Sequence, residues 1–226
     1  MPGLPLGLES LNANYNQLSS LPTLPPFLAS LFVVSNQLTS LPTLPANLIS
    51  LSCGLNQLLT LPNLPASLKN LSAFDNPLLG LPILPTSLET LIVNDCSFPS
   101  LPALPSTITQ IAFGNPGFII TPTLPANLDY LFIGSSELTN LPVIPSTVTH
   151  VDFRQNNFAT SIPTLPSSLD LLSIIDNALI QTIPTIPNTV TRLYLTKGSF
   201  TQLPELPDSV DYFISTITHN CFVCLK

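Results

Sequence analysis

The residues able to do chemistry are few, and most fall in the second half of the chain. His150, Asp152 and Arg154 alternate along one short run, Tyr130 and Phe132 come before them, and Arg192, Tyr194 and Tyr212 follow. A His with an Asp supplies two members of a hydrolase triad, but no Ser on a strand-to-helix elbow accompanies them, so catalysis is not expected. Aromatic residues and Arg dominate interface hot spots, and these eight residues are therefore the candidate partner-binding set. The competing reading is structural: strands favour Tyr, Phe and Ile in any case, and Asp152 could pair with Arg154 or Arg192 across a sheet. Asp75 and Asp95, with Asn94 and Asn115 close by, offer too few oxygens for a calcium shell of roughly six to eight ligands, so no metal and no cofactor is expected. Cys221-Phe-Val-Cys224 has zinc-like spacing without a second ligand pair, and reads as a local disulfide or two free thiols in a frayed tail.

Charge narrows the partners further. Among 226 residues, 12 Asp and Glu face 5 Lys and Arg, a net charge of -7, and only 8% of the chain is charged although 45% is hydrophobic. No basic surface can be assembled from so few cations, which excludes nucleic acid. No apolar run reaches the length of a membrane span, so membrane insertion is not expected, and Met1 to Ser10 lacks the basic-then-apolar order of a secretory leader.

The elements that must position the candidate residues come from a repeat. Leu21-Pro22-Thr23-Leu24-Pro25 recurs every 20 or 21 residues, and eleven copies from Met1 to Pro207 hold 22 of the 26 prolines. Between copies runs a second pattern, Leu28, Leu31, Val33, Asn36 and Leu38, repeated as Leu48, Leu51, Cys53, Asn56 and Leu58; this is the leucine-rich repeat signature. Its first apolar position steps through Leu8, Leu28, Leu48, Leu68, Leu88, Ile108, Leu128, Val148, Leu169, Val190 and Val210. Residues 1–226 are thus expected to form a single domain of about eleven repeats of 20–21 residues.

Each unit has two halves with different physics. In Ser30-Leu31-Phe32-Val33-Val34 the alternation sends Leu31 and Val33 inward and the others outward, which specifies a short strand. The other half holds two prolines three residues apart, which remove amide donors and fix φ, so it runs extended and close to polyproline II. Stacked copies share one apolar ribbon, with parallel strands on a concave face, polyproline-like segments on the convex face and little or no helix. Asn at the ninth position (Asn16, Asn36, Asn56, Asn76, Asn156, Asn177) is suited to satisfying backbone groups where the chain leaves the strand. The ladder lapses at Cys96, Pro116, Ser136, Gly198 and Thr218, which predicts less regular turns in the middle and at the carboxyl end. Neither end carries an atypical polar unit, which predicts a fragment of a longer chain or an uncapped array that associates end to end.

The Leu-Pro-x-Leu-Pro-x-x-Leu-x-x-Leu unit of about 20 residues resembles the bacterial leucine-rich repeats of YopM- and IpaH-type secreted effectors. That resemblance implies a helix-free solenoid, a non-enzymatic module binding a protein or peptide on its concave face, and a secreted or cell-surface setting. Two alternatives remain open from sequence: a structural or adhesive surface spacer, and the substrate-recognition region of an effector ubiquitin ligase whose catalytic domain this sequence does not contain.

Overall fold

The computed structural model describes residues 3–156, 161–200, 204–217 and 220–225. Each leucine-rich run becomes one strand: β1 (Ser10–Asn12), β2 (Ser30–Phe32), β3 (Ser50–Ser52), β4 (Asn70–Ser72), β5 (Thr90–Ile92), β6 (Gln110–Phe113), β7 (Tyr130–Gly134), β8 (His150–Arg154), β9 (Leu171–Ile175), β10 (Arg192–Thr196) and β11 (Tyr212–Ile217). These pair in parallel and in chain order within one sheet, and no helix occurs among the described residues. The register advances by one repeat per strand, 20 residues from Tyr130 to His150 and 21 from His150 to Leu171 and from Leu171 to Arg192, so equivalent side chains line up in rows across the face.

The carboxyl end corrects one expectation. Asn220–Leu225 is not a frayed tail but a further strand, β12, folded back antiparallel on β11, and it brings Cys221 and Cys224 into the sheet. A strand edge with unpaired amides and carbonyls is satisfied by pairing, and this segment offers the needed β-formers. Thr218, one of the expected lapses of the ladder, lies outside the described residues.

The ribbon packs as the alternation requires. Leu28, Leu31, Val33 and Leu38 are fully buried, and Leu48, Cys53 and Leu58 of the next repeat stack on them equally deep. Each such leucine contributes about 1.5–3 kcal/mol on burial, summed along a stack that no single repeat could form. Where the sixth repeat departs from the pattern, rings take over the filling: Phe118 packs edge-on to Phe98 at 6.4 Å and tilted against Phe113 at 5.1 Å.

Two polar ladders hold the coils together. Asn56 Nδ2 donates to the carbonyls of Val33 (2.9 Å), Cys53 (3.1 Å) and Gly54 (3.0 Å), while its Oδ1 accepts from the Leu38 amide at 2.9 Å. One amide thereby ties its own turn to the preceding repeat. On the other flank a hydroxyl ladder does the same work: Ser67, Ser87, Thr107, Thr147, Ser168 and Ser209 each donate to the carbonyl of the first apolar residue one repeat back, at 2.7–2.8 Å. The residue before each asparagine position turns left-handed, as at Tyr15, Leu55 and Asp75 with φ of 58°, 54° and 55°. That turn survives some lapses of the ladder: Asp95 and Ser135 keep positive φ, and Ser136 Oγ bonds Asn156 Oδ1 at 2.7 Å. At Pro116 it does not survive. There Asn115 donates to the Phe98 carbonyl one residue early, and its own Oδ1 is buried without a partner.

Candidate concave binding face

On the concave face the register sets two rows side by side. The first reads Gln110, Tyr130, His150, Leu171, Arg192, Tyr212, and the second Ala112, Phe132, Asp152, Ser173, Tyr194, Ile214. All eight candidate residues lie on this face because strand positions two apart share a side. Leu171 and Ser173 of β9 stand between the β8 group and Arg192 with Tyr194, and the two groups meet where Arg192 reaches across to His150.

Asp152 takes Arg154 and not Arg192 as its partner. Arg154 Nε donates to both carboxylate oxygens at 2.9 and 3.0 Å and Nη2 adds a contact of 2.6 Å. The Asp152 side chain is only 10% exposed, so the guanidinium, itself half exposed, covers the carboxylate and stacks at 5.8 Å over the Phe132 ring. Hydrogen bonding to Asp152 pushes the Arg154 pKa further up. Both oxygens of the Asp152 carboxylate are thus engaged by Arg154, while the carboxylate near His150 is that of Asp170.

His150 has other neighbours. Arg192 Nη2 lies 3.2 Å from its Nε2 and Thr149 Oγ1 lies 2.6 Å from its Nδ1. The Asp170 carboxylate lies 3.9 Å from the same Nε2, and the Thr149 hydroxyl donates to Asp129. The same Arg192 nitrogen donates to Asp170 at 2.6 Å. Thr191 first, and then Arg192, hold the Asp170 carboxyl below its ordinary range through hydrogen bonds. Burial, followed by the Asp152 charge, raises the Tyr130 pKa, which keeps that phenol a hydrogen-bond donor. Tyr130 and His150 rings lie 6.4 Å apart and Tyr194 and Tyr212 rings 5.4 Å apart.

Two hollows open on this face. One of about 430 Å³ is lined by Ile92, Asn94, Gln110, Ala112, Tyr130 and Phe132, and a second of about 290 Å³ by Asp152, Arg154, Leu171, Ser173, Ile175 and Tyr194. Larger hollows of about 570 and 530 Å³ lie between neighbouring proline segments on the outer wall. Their linings hold no charged or aromatic side chain, and they follow from the packing of one repeat on the next. Asp75 and Asp95 sit on left-handed turn residues, Asp95 accepting from Asn94 at 2.6 Å. Among the described residues no three His, Cys, Asp or Glu converge for a metal, and no helix is long and apolar enough to cross a membrane.

No family model matches the sequence, and no curated protein matches it. Solved structures do. The chain superposes on YopM from Yersinia enterocolitica WA-314 with a TM-score of 0.82 and 31% identity, covering 96% of this chain and 52% of that one. A Shigella effector leucine-rich repeat domain shares 31% identity at a TM-score of 0.57, over 66% of this chain and 70% of that one. The chain belongs to the bacterial effector-type leucine-rich repeat family. A second YopM, from Yersinia pestis, matches at 28% identity and a TM-score of 0.60 over 93% of this chain and 78% of that one. Effector-type repeats therefore account for the helix-free outer wall and the short parallel strands. The chain spans about half the length of the Yersinia enterocolitica protein.

Several residues of this face escaped the sequence reading. Ile92, Gln110 and Ala112 belong to the first hollow, and Leu171, Ser173 and Ile175 to the second. Their strand alternation was readable, but their types are ordinary for a strand and raised no signal. Asp170 was missed because it stands one position before its strand, on a row that carries Asp129 and Asp211 in other repeats.

Proposed function

We propose that the chain is a non-enzymatic protein-interaction module that takes a protein or peptide on the concave face of its carboxyl-terminal half, presented by one continuous array of about eleven repeats. The observation that carries this reading is the concentration of Tyr130, Phe132, Arg154, Tyr194 and Tyr212 on one row-aligned surface containing two hollows. Solenoids use such concave sheets for binding, and a rigid scaffold loses little conformational freedom on association. Tyr and Arg provide the contact area and orientation that interface hot spots need.

The test is panning of the immobilised chain against a displayed peptide library, alongside a Tyr130→Ala/Tyr194→Ala variant. Peptides that bind the chain should lose at least tenfold in affinity for the variant, about 1.4 kcal/mol, while the melting temperature stays within a few degrees. Unchanged affinity would defeat the site. If the chain retains no peptide at all, the spacer reading replaces this one.

A further inference from the structure

The two hollows are related in a way that constrains what could fill both. Each centres on the second row, one on β6 and the other on β9, so they lie along a single line across the strands. Three strand steps of about 4.8 Å separate them by about 14 Å, which an extended peptide covers in about four residues. Phe132 lines one hollow, Arg154 lines the other, and their stacked contact at 5.8 Å is the partition between them.

The linings differ in chemistry. Ile92, Ala112, Tyr130 and Phe132 make the first hollow apolar, with the Asn94 and Gln110 amides at its edges, and about 430 Å³ is room for one large side chain. In the second, both oxygens of Asp152 are engaged by Arg154 Nε and Nη2, so the buried carboxylate offers little to a ligand. That pairing leaves Nη1 of a guanidinium whose side chain is 51% exposed, beside the Ser173 and Tyr194 hydroxyls. What this hollow presents outward is a set of donors around a cation, the complement of a carboxylate. Asp75, Asp95 and Asp176, part of the acidic excess of the chain, stand on left-handed turn residues, and Asp176 accepts from Gln155.

Building on the proposed concave site, we propose that its occupant is an extended peptide with a large apolar side chain in the β5–β7 hollow and, about four residues away, an Asp or Glu carboxylate on Arg154. Alternation supports an extended ligand, because a helix would place residues four apart only about 6 Å along its axis.

A displayed library of random nine-residue peptides, panned against the whole chain and followed by fluorescence anisotropy on the synthetic winners, tests this. The expected result is enrichment of one apolar and one acidic position about four apart. Replacing the peptide's acid by its amide should weaken binding about tenfold. On the protein, Asp152→Asn/Arg154→Gln keeps a hydrogen-bonded neutral pair and should abolish the preference for acid over amide, while Ala112→Leu should fill the first hollow and cost about tenfold. Winners that lack the acidic position yet still lose affinity on Tyr130→Ala/Tyr194→Ala would overturn this inference and leave the concave site standing. Winners indifferent to every concave substitution, or a chain that binds neutral oligosaccharides and no peptide, would overturn both.

Discussion

The two halves of this solenoid are built from the same unit and put to different use. From β1 to β5 the strands are three residues long, the asparagine ladder runs unbroken through Asn76, and the concave side chains are mostly Ser and Asn with an occasional Phe. From β6 onward the strands lengthen to four to six residues, the ladder lapses at Pro116 and Ser136 before resuming at Asn156 and Asn177, and Tyr rings and Arg–Asp pairs join a face that in the first half carries the Lys69–Glu89 pair one position before its strands. Regular repeats spend their polar groups on holding coils together, so their outer face is free to be bland. Longer strands bring a third outward position, and it is there that Arg154 reaches back to cover Asp152. Chemistry thus enters where the repeat relaxes, within a core that stays continuous because Phe98, Phe113 and Phe118 refill the sixth repeat.

Substitutions can break or sharpen this contrast, and the largest effect is expected at the boundary. Gly114 has φ of 128°, and a Cβ there would lie 1.8 Å from the Gly134 carbonyl oxygen. Gly114→Ala should cost about 4 kcal/mol in chemical denaturation, from strain and a backbone collision together. Gly80→Ala in the regular half meets open space and should stabilise by a few tenths of a kcal/mol. An equal response at both glycines would remove the boundary.

Next comes the ladder itself. Asn56→Ala strands the Leu38 amide in a buried turn and takes one of two donors from each of the Val33, Cys53 and Gly54 carbonyls, and should cost about 2 kcal/mol. Asn16, whose amide reaches only Ala13 and Asn14 in an exposed turn, should cost below about 1 kcal/mol on the same change. Thermal melts of the two variants side by side measure how far the ladder's contribution depends on having a repeat on each side.

Two buried thiols give the first five repeats an alkaline sensitivity of their own. Burial pushes both the Cys53 and the Cys96 thiol up to about 12 from 9.0. A raised folded value means that the contribution is fully present below the unfolded pKa and lost as pH rises from about 9 towards 12. Stability should therefore fall by about 1.4 kcal/mol per pH unit for each thiol across that range. Cys53→Ala should flatten the slope by one such increment, as read from denaturant midpoints at stepped pH.

Smaller gains are expected where local rules are broken. Ser215 is fully buried at an inward position, with no partner for its hydroxyl, and Ser215→Ala should stabilise by about 1 kcal/mol. Leu55 holds a left-handed φ of 54° while 41% exposed, and Leu55→Asn should add about 0.5 kcal/mol by relieving that strain. Both are readable as shifts in melting temperature.

Much of this was legible in the sequence because a repeat states each environment many times over. Leu28, Leu31 and Val33 announce an inward face in one copy and confirm it in ten others, and Asn36 or Asn56 mark the turn in the same way. What stayed hidden depended on neighbours that the repeat does not name. Tyr15 and Leu55 disguise a left-handed turn that Asp and Ser would have signalled. The hydroxyl ladder shows as Ser or Thr before seven of the eleven first apolar residues, but Gly7, Phe27, Asn47 and Asn127 interrupt it. Arg192 was free to choose between Asp152 and Asp170, and only the register across β9 decides for Asp170. β12 has no repeat signature, so nothing in the period pointed to its return along β11.

The most direct measurement is amide chemical-shift mapping of the labelled chain with the tightest peptide from the library. A binding site on the relaxed half requires perturbations confined to β5–β10, strongest around Tyr130, Phe132, Arg154 and Tyr194, with β1–β4 unmoved. Perturbations centred on the proline segments, or spread evenly over β1–β4, would contradict it.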